Sequence, residues 1–431
     1  MSVSYRKRVW SWACFDFANS AFGTLVLTFV FNTYFTLSIA PSESEGTTLW
    51  GNTVAIASIL IAILSPMLGA AADAFGWKKR FLAISVVLAV LSTAALYLPG
   101  KGDVYLALTL FSLSLVATEL SIVFNNAFLP EIAKKEEHGK VSGQAFALGY
   151  AGGLICLLIA LVGFLPEGGD PWFGLSREGG QNVRATNVLV AVWFLVFSIP
   201  LLFWVKERRP KRHPEGFLVV ARQSFGRMAD TFHHLREYRQ LFWMLIARLF
   251  YNDGLVAIFS FGGIYATVVF GFTFQDLMIF GIALNVCSGV GSLLFSFIED
   301  RIGSRITIVI SLVALVGSTS VALFITSKAA FWVCCVVIGL FLGPNQSASR
   351  AYLSRLTPEE KANEFFGFFA FSGKATAFLG PLLYGQMVAI YDSQRAGMAV
   401  IPALMVVGMI IFLLKTREVS GEESVASLDK E

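Results

Sequence analysis

Long runs of apolar residues, separated by short polar connections, fill most of this chain. A helix needs about 20 apolar residues to cross the hydrocarbon core of a bilayer. The runs are continuous and show no residue-by-residue alternation, so they predict membrane helices and not the strands of a β-barrel. Twelve spans are predicted, at residues 12–39, 50–72, 81–98, 104–130, 141–164, 187–205, 241–270, 275–298, 306–326, 331–356, 365–391 and 397–414.

The composition agrees with an all-α membrane protein. Of the 431 residues, 56% are hydrophobic and 14% are charged, and the mean hydropathy is +0.68. Soluble domains carry roughly 25% charged residues. The basic residues before the first run resemble the start of a signal peptide, but that run is too long for a signal sequence and carries Asp16. We therefore expect it to remain as the first span.

The basic residues mark one side of the predicted bundle. They cluster in the segments 6–8, 78–80, 134–140, 206–240, 301–305, 355–361 and 415–417, whereas the opposite connections carry only Lys101, Arg177, Arg184, Lys328 and Arg395. Cytoplasmic loops are enriched in Lys and Arg. The pattern predicts that both termini are cytoplasmic and requires no nucleic-acid partner. The compact chain favours a bacterial inner membrane over a vacuole.

The chain repeats itself at an interval of about 225 residues. The polar loop that begins at Asp73 recurs at Asp300, 227 residues later, and Gly143 recurs at Gly367, 224 residues later. Such repeats are typical of transporters whose two halves share a site near the middle of the membrane. We predict halves at residues 1–205 and 241–415, a linker at 206–240 and a tail at 416–431.

The linker contains an amphipathic pattern. Its apolar residues Ala221, Phe225, Met228, Phe232 and Leu235 are spaced as one face of a helix. Such a helix lies on an anionic membrane surface or ties the two halves together, and the sequence leaves both interpretations open.

Six charged residues lie inside the predicted spans. A charge near the bilayer centre costs a few kcal/mol or more, so it persists mainly where it faces a bundle interior or a wet cavity. We interpret the set as the lining of a transport path, with ion pairs in some conformations: Asp16, Glu119, Arg248, Asp253, Arg350 and Lys374.

The loop after the second span resembles the signature of the major facilitator superfamily. Asp73, Gly76, Lys78 and Arg80 carry the resemblance, and Asp300, Arg301, Gly303 and Arg305 form a shorter second copy. The resemblance implies the twelve-helix major facilitator fold, with pseudo-symmetric six-helix halves and with these loops acting as gates. We expect Asp73 to pair with a basic residue across the seam between the halves.

A narrower resemblance covers most of the chain. Residues 15–22, Phe-Asp-Phe-Ala-Asn-Ser-Ala-Phe, are similar to the Tyr-Asp-Trp-Ala-Asn-Ser-Ala-Phe pattern of the unknown-major-facilitator branch, which includes the autophagy-linked vacuolar amino-acid effluxer of yeast. Segments 126–131, 250–254 and 364–374 are similar to other motifs of that branch. The resemblance implies export of small organic solutes, amino acids in the characterised case. Phe15 and Phe17 depart from the pattern.

In this superfamily, spans 1, 4, 7 and 10 line the central cavity. We therefore predict a substrate or proton pathway at Asp16, Asn19, Glu119, Asn125, Arg248, Asn252, Asp253, Asn345, Gln346 and Lys374. Arg350 lies nearer the cytoplasmic end and is grouped with the gating loops.

Two interpretations of the buried charges remain open. A buried carboxylate without a compensating base takes up a proton more readily than an exposed one, so Asp16, Glu119 or Asp253 are candidates for H⁺ coupling. The alternative is a static ion pair, for example Asp253 with Arg248 or with Lys374. Lys374 itself either holds a substrate carboxylate or neutralises a neighbouring acid.

We expect a secondary active transporter that works by alternating access. The predicted cargo is a small zwitterion such as an amino acid, exported with H⁺ coupling; a facilitative carrier or a drug or peptide transporter of the same fold is the alternative. The sequence has no hydrolase or zinc-protease motif, so we expect neither enzyme activity nor a metal or cofactor. A receptor or scaffold would gain nothing from buried charge. We expect a monomer whose partners are lipid, solute and protons.

Overall fold

The computed structural model describes residues 4–166, 168–207 and 238–418. The predicted amphipathic helix at 221–235 lies outside the described residues, as does the tail beyond 418. The long helices of the described part are α1 (Tyr5–Ile39), α2 (Glu43–Phe75), α3 (Lys78–Ala95), α4 (Val104–Asn126), α5 (His138–Ile159, extended by Ala160–Phe164), α6 (Gln181–Trp204), α7 (Arg239–Phe270), α8 (Phe274–Ile302), α9 (Ser304–Phe324), α10 (Lys328–Leu356), α11 (Ala362–Lys374 and Leu379–Tyr391) and α12 (Val400–Lys415).

Each of the twelve predicted spans falls within or close to one of these helices. Eleven of them are long and apolar enough to cross a membrane, and α3 has 18 residues and begins with three basic ones. Short helical pieces connect the long ones, at Leu129–Ile132, Lys135–Glu137, Trp172–Gly174, Glu178–Gly180, Glu359–Lys361 and Gln394–Met398.

Polar residues fix several helix ends. The Ser42 hydroxyl accepts the backbone N–H of Glu45 and so caps α2. Thr273 and Asp276 form a reciprocal capping box at the start of α8. At the other end of α2, Gly76 has φ 62°, a left-handed conformation that only glycine adopts without strain. These caps explain why α2 and α8 extend beyond their apolar runs.

Helix α11 is interrupted between Lys374 and Leu379. Pro381, just beyond the break, has no backbone N–H, and its ring crowds the carbonyl of the residue four positions earlier. The helix therefore breaks in the turn that precedes this proline. Pro66 and Pro344 lie inside the continuous helices α2 and α10.

Each half of the molecule builds its own apolar core. The cores of α1–α6 contain the stacked pair Trp50 and Phe111, whose ring centroids are 3.9 Å apart. The core of α7–α12 includes only Val123 and Ala127 from the first half. Its partly buried Phe261 stacks on Tyr384, also at 3.9 Å. The halves are therefore separate packing units that meet along a seam.

The repeated glycines Gly143 and Gly367 lie at equivalent places in this seam. A Cβ atom on Gly143 of α5 would lie 2.7 Å from Ser296 Cβ of α8, and one on Gly367 of α11 would lie 2.5 Å from Pro66 Cα of α2. The pairs α5–α8 and α2–α11 thus form two matching contacts between the halves. Glycine allows this approach because it has no side chain.

The seam is closed at one end of the bundle. We call this end, where α6 ends and α7 begins, the linker side. Among the described residues, hydrogen bonds between the halves lie at the linker side or in the middle of the bundle, and none lies at the far side. The structure is therefore the linker-closed state of the molecule.

Substitution of Gly69 tests whether glycine permits this closure. A Cβ atom there would lie 2.3 Å from the Asn363 carbonyl oxygen, more than 1 Å short of ordinary van der Waals contact. Gly69→Val should therefore hold the halves apart at the linker side. Spin labels on cysteines introduced at the exposed positions Glu136 and Glu360, in a background without native cysteines, should show longer distances by double electron–electron resonance.

Gly317→Val is the matched control, since nothing lies within 4 Å of its added Cβ. It should leave the distance distribution unchanged. An unchanged distribution in folded Gly69→Val protein would mean that this contact does not limit closure.

Candidate functional site

A cavity of about 430 Å³ lies between the two halves. Helices α1, α4 and α5 form one wall, and α7, α10 and α11 form the other. Most of the predicted pathway residues line it: Asp16, Asn19, Glu119, Arg248, Asn252, Asn345, Gln346 and Lys374, together with Arg350. Five of the six intramembrane charges, from both halves, therefore converge on one space.

Two predicted pathway residues lie behind the cavity wall. Asn125 is fully buried, and its Nδ2 donates to Asp16 Oδ1 over 3.4 Å. Asp253 is also fully buried and contacts Thr376. Asn125 supports a cavity residue, whereas Asp253 occupies a separate environment in the second half.

Arg350 joins the halves at the base of the cavity. Its Nη1 lies 2.7 Å from Asp16 Oδ2 and also donates to Asn126 Oδ1. Its Nε and Nη2 donate to the hydroxyl and carbonyl oxygens of Ser142, both at 2.9 Å. The two side chains of the ion pair are only 3% and 10% exposed. All three guanidinium nitrogens donate, and four of the five N–H groups are used, so the pair is held in one geometry.

Aromatic rings complete the surroundings of this arginine. The guanidinium carbon lies 4.7 Å from the ring centroid of Trp12 and 4.3 Å from that of Phe146. Both distances allow cation–π attraction. We grouped Arg350 with the gating loops, but the structure places it in α10 at the cavity itself.

A second ion pair crosses the cavity. Lys374 Nζ lies 2.7 Å from Glu119 Oε1, and the two side chains are 27% and 23% exposed. Lys374 is the last residue of the first α11 segment. This pair is accessible from the cavity, unlike the pair of Asp16 and Arg350.

The predicted static pairs of Asp253 are wrong. Lys374 is paired with Glu119, and Arg248 Nη1 donates to the Phe369 carbonyl and to Ser372 Oγ. The Arg248 guanidinium also lies 3.7 Å from the Phe369 ring centroid. Asp16 and Glu119 each pair with a base of the opposite half, whereas the alternative that the sequence left open pairs Asp253 within the second half.

Asn345 presents an unused amide to the cavity. Its side chain is buried, and neither its oxygen nor its nitrogen has a hydrogen-bond partner among the described residues. An unpaired buried amide is costly, so such a group is typically satisfied by a ligand or by water. Asn345 therefore offers a donor and an acceptor that the described residues leave unsatisfied at the cavity wall.

The two loops that we predicted to be gates contact helix ends of the opposite half. The Asp73 carboxylate accepts the backbone N–H groups of Asn363 and Glu364 and the Asn363 Nδ2. It caps the start of α11 across the seam, where the helix dipole favours negative charge. The expected partner, a basic residue across the seam, is wrong, because the partners are amides.

Asp300 repeats this arrangement in the second half. Its two oxygens accept the backbone N–H groups of Gly139 and Lys140 at the start of α5, at 3.0 and 3.1 Å. Arg355 Nη2 holds the same carboxylate at 2.9 Å, and Arg355 Nε donates to the Lys135 carbonyl of the first half. Two carboxylates related by the internal repeat thus each cap a helix of the opposite half.

The basic residues of the two loops brace their own halves. Lys78 pairs with Glu131, and Arg305 donates to the carbonyls of Leu413 and Thr416. Arg80 lies over the Trp77 ring. Arg301 is exposed, and Gly303 adopts φ 92° between α8 and α9.

Sequence reasoning missed Ser142, Phe146 and Trp12 as partners of Arg350. Ser142 directly precedes Gly143, one of the glycines that the internal repeat identifies, and this was the available signal. No group of three His, Cys, Asp or Glu side chains with metal-binding geometry occurs in the described part of the chain. Three of the four histidines, His213, His233 and His234, lie outside that part.

Sequence comparisons identify relatives of the whole chain. A family model described as "Vacuole effluxer Atg22 like" matches residues 37–424. An uncharacterized MFS-type transporter of Bacillus subtilis (strain 168), YxiO, is 28% identical over 98% of both chains. Autophagy-related protein 22 of Yarrowia lipolytica is 26% identical over 66% of this chain. The match spans about half of the length of that fungal relative.

Solved structures share the fold at low sequence identity. The proton:xylose symporter XylE, bound to 6-bromo-6-deoxy-D-glucose, matches with a TM-score of 0.69 and 13% identity over 98% of both chains. The transporter FucP in the outward conformation matches with a TM-score of 0.74 and 12% identity, over 96% of this chain and 98% of that one. The predicted major facilitator fold is thereby confirmed.

The ion pair of Asp16 and Arg350 should dominate the stability of the linker-closed state. Arg350→Gln leaves an uncompensated buried carboxylate, which costs on the order of 3–5 kcal/mol. It should lower the melting temperature of the detergent-solubilised protein markedly. The double variant Asp16→Asn/Arg350→Gln should regain part of the loss, because the stranded charge is removed.

Lys328→Gln is the control, since it breaks an ion pair with Asp276 whose side chains are 42% and 24% exposed. It should change the melting temperature far less. Equal effects of Arg350→Gln and Lys328→Gln on the melting temperature would contradict the prediction that the buried pair dominates stability. The absence of any recovery in the double variant would contradict it as well.

Proposed function

This chain belongs to the vacuole effluxer Atg22-like family, and on that premise we propose that it moves a small zwitterionic solute, such as an amino acid, by alternating access. Its relatives and its fold are those of membrane transporters of the major facilitator type. It is therefore a multi-pass membrane transporter and not an enzyme.

The Glu119–Lys374 pair is the observation that carries the proposed cargo. It joins one acid and one base across the cavity, and both side chains are partly exposed to it. A zwitterion brings a carboxylate for Lys374 and an ammonium group for Glu119, so it exchanges one ion pair for two. A solute with a single charge leaves one of the two residues without a partner, which costs free energy in a partly buried site.

Arg248 and Asn345 extend the same site. The Arg248 guanidinium faces the cavity, and among the described residues no carboxylate lies within 4.0 Å of it. The Asn345 side chain offers its NH₂ group as a donor and its carbonyl oxygen as an acceptor, and neither has a partner among the described residues. These groups give a bound solute a second anchor for its carboxylate and polar contacts for the rest of it.

The way in which the seam is held supports alternating access. The caps made by Asp73 and Asp300 and the pair of Asp16 and Arg350 hold the linker side closed. Opening that side requires these contacts to break, and a solute that replaces the Glu119–Lys374 contact removes one bond between the halves. Loading of the cavity would thereby weaken the closed state.

We further propose export, coupled to protons, across a bacterial inner membrane. The enrichment of basic residues at the linker side supports a cytoplasmic linker and cytoplasmic termini. The buried carboxylates of the pathway support coupling to H⁺. The transporter would act as a monomer in lipid.

Counterflow in proteoliposomes tests the cargo directly. Vesicles preloaded with an unlabelled amino-acid mixture should take up labelled amino acids transiently, and an imposed pH gradient should drive accumulation of the same solute. Protein-free vesicles are the control. If no amino acid exchanges, the zwitterion proposal is wrong, and peptides, sugars and amphipathic drugs become the solutes to test.

Lys374→Gln tests how the carboxylate is recognised. The variant should lose at least about tenfold in apparent affinity for zwitterions, which corresponds to about 1.4 kcal/mol. It should lose much less for the matching amines without a carboxylate. Competition against the labelled solute measures both effects, with Lys328→Gln as the control for removal of a lysine. Equal losses for both solute classes would show that Lys374 serves only to neutralise Glu119.

A further inference from the structure

Asp253 is a buried acid that does not line the solute cavity, so contact with the solute does not account for its presence. It lies on α7 with no exposed surface, behind the cavity wall. Its Oδ1 accepts a hydrogen bond of 3.1 Å from Thr376 Oγ1, whereas its Oδ2 has no partner among the described residues. The carboxylate is therefore only half satisfied by the protein.

No neighbouring base neutralises this carboxylate. Arg248, one and a half turns earlier on the same helix, is bound to Phe369 and Ser372. Lys374 is held by Glu119, and Arg350 is held by Asp16. None of the ion pairs among the described residues includes Asp253.

The other helices packed around α7 carry charge only near their ends. The second α11 segment contains no acidic or basic residue, and α12 has none before its last one, Lys415. The remaining charged groups of the packed elements lie towards helix ends: Lys328 and Arg355 on α10, Glu364 at the start of α11, Arg395 beside α12, and Asp276, Glu299, Asp300 and Arg301 on α8. An ionised Asp253 thus requires a counter-cation, because an isolated buried charge is very costly.

The surroundings suit a small cation. A carboxylate and a hydroxyl are ligands that hard monovalent cations accept. The break in α11 adds the negative end of a helix dipole, because the first segment ends at Lys374. Broken membrane helices in other transporters present carbonyl groups to coupling ions in this way.

We propose that Asp253 and Thr376 form a site for one monovalent cation, H⁺ or Na⁺, separate from the solute cavity. The proposal rests on the transport function proposed above. Thr376 binds Asp253, and Lys374, two residues earlier in the same break, binds Glu119. A cation that neutralises Asp253 therefore acts on the break in α11, which positions Lys374 in the cavity. This linkage couples the cation to the solute.

The test compares exchange with gradient-driven accumulation. A one-unit pH gradient, or a tenfold Na⁺ gradient, supports about tenfold accumulation at 1:1 coupling. Asp253→Asn should retain counterflow and lose this accumulation. Thr376→Val keeps the carboxylate and should weaken the response to the same gradient. Asp276→Asn, which removes an exposed carboxylate, is the control and should behave as the wild type.

The driving gradient identifies the ion, since H⁺ and Na⁺ are imposed separately. Accumulation in Asp253→Asn equal to that of the wild type would overturn the proposal. Counterflow in the wild type with no response to either gradient would overturn it as well.

A binding readout separates this proposal from the cargo proposal. The melting temperature of the purified wild type should depend on Na⁺ at high pH, or on pH without Na⁺, and Asp253→Asn should remove that part of the dependence. This measurement needs no transported solute. If no amino acid shows counterflow but the melting temperatures of the wild type and Asp253→Asn still respond differently to the cation, the proposed cargo is wrong and the cation site is supported. Identical dependence in both proteins, with Thr376→Val also unchanged, would exclude the site.

Discussion

The rest of the structure depends on the fact that Asp16 and Arg350 neutralise each other across the seam. Asp16 lies in the first half and Arg350 in the second, and both are buried. In this state, among the described residues, Asp16 has no basic partner within the first half, and Arg350 has no acidic partner within the second half. The halves must therefore meet here for the charges to be tolerated within the membrane. Because Ser142 and Asn126 accept three further hydrogen bonds from the arginine, the contact also fixes how the halves are oriented.

The two ion pairs between the halves differ in a way that divides their roles. The pair at the base of the cavity is almost fully enclosed, so a solute gains little access to it. The Glu119–Lys374 pair is about a quarter exposed and sits next to the break in α11. One pair thus sets the stability of the closed state, and the other is open to exchange. A carrier that binds and releases its cargo needs both properties.

The fold was largely predictable from the sequence, because lipid imposes a simple requirement on composition. Helix α10 ends at Leu356, as its apolar run predicts. Helix α1 begins at Tyr5, earlier than its run, because capping and hydrogen bonding continue a helix into the polar interface. Hydropathy therefore locates the membrane better than it locates helix ends.

The site was predictable as a set of residues but not as a set of contacts. Three acids and three bases allow many pairings, and only the fold brings Asp16 to an arginine 334 residues away. Asp73 was given the wrong kind of partner because a backbone N–H leaves no trace in the sequence. The position of Asp253 behind the wall depends on the rotation of α7, which an almost uniformly apolar helix does not reveal.

The capping contacts of Asp73 and Asp300 have a consequence for how the gate tolerates mutation. Each carboxylate binds main-chain amides that every residue except proline provides. The main-chain part of each contact therefore survives a change of side chain at Asn363, Glu364 or Lys140. Gly139 is the exception, because a Cβ atom there would lie 2.6 Å from Asp300 Oδ1. The aspartates have no such freedom. The two sides of each contact are under unequal constraint: the carboxylates are required, whereas the receiving helices are constrained chiefly at Gly139.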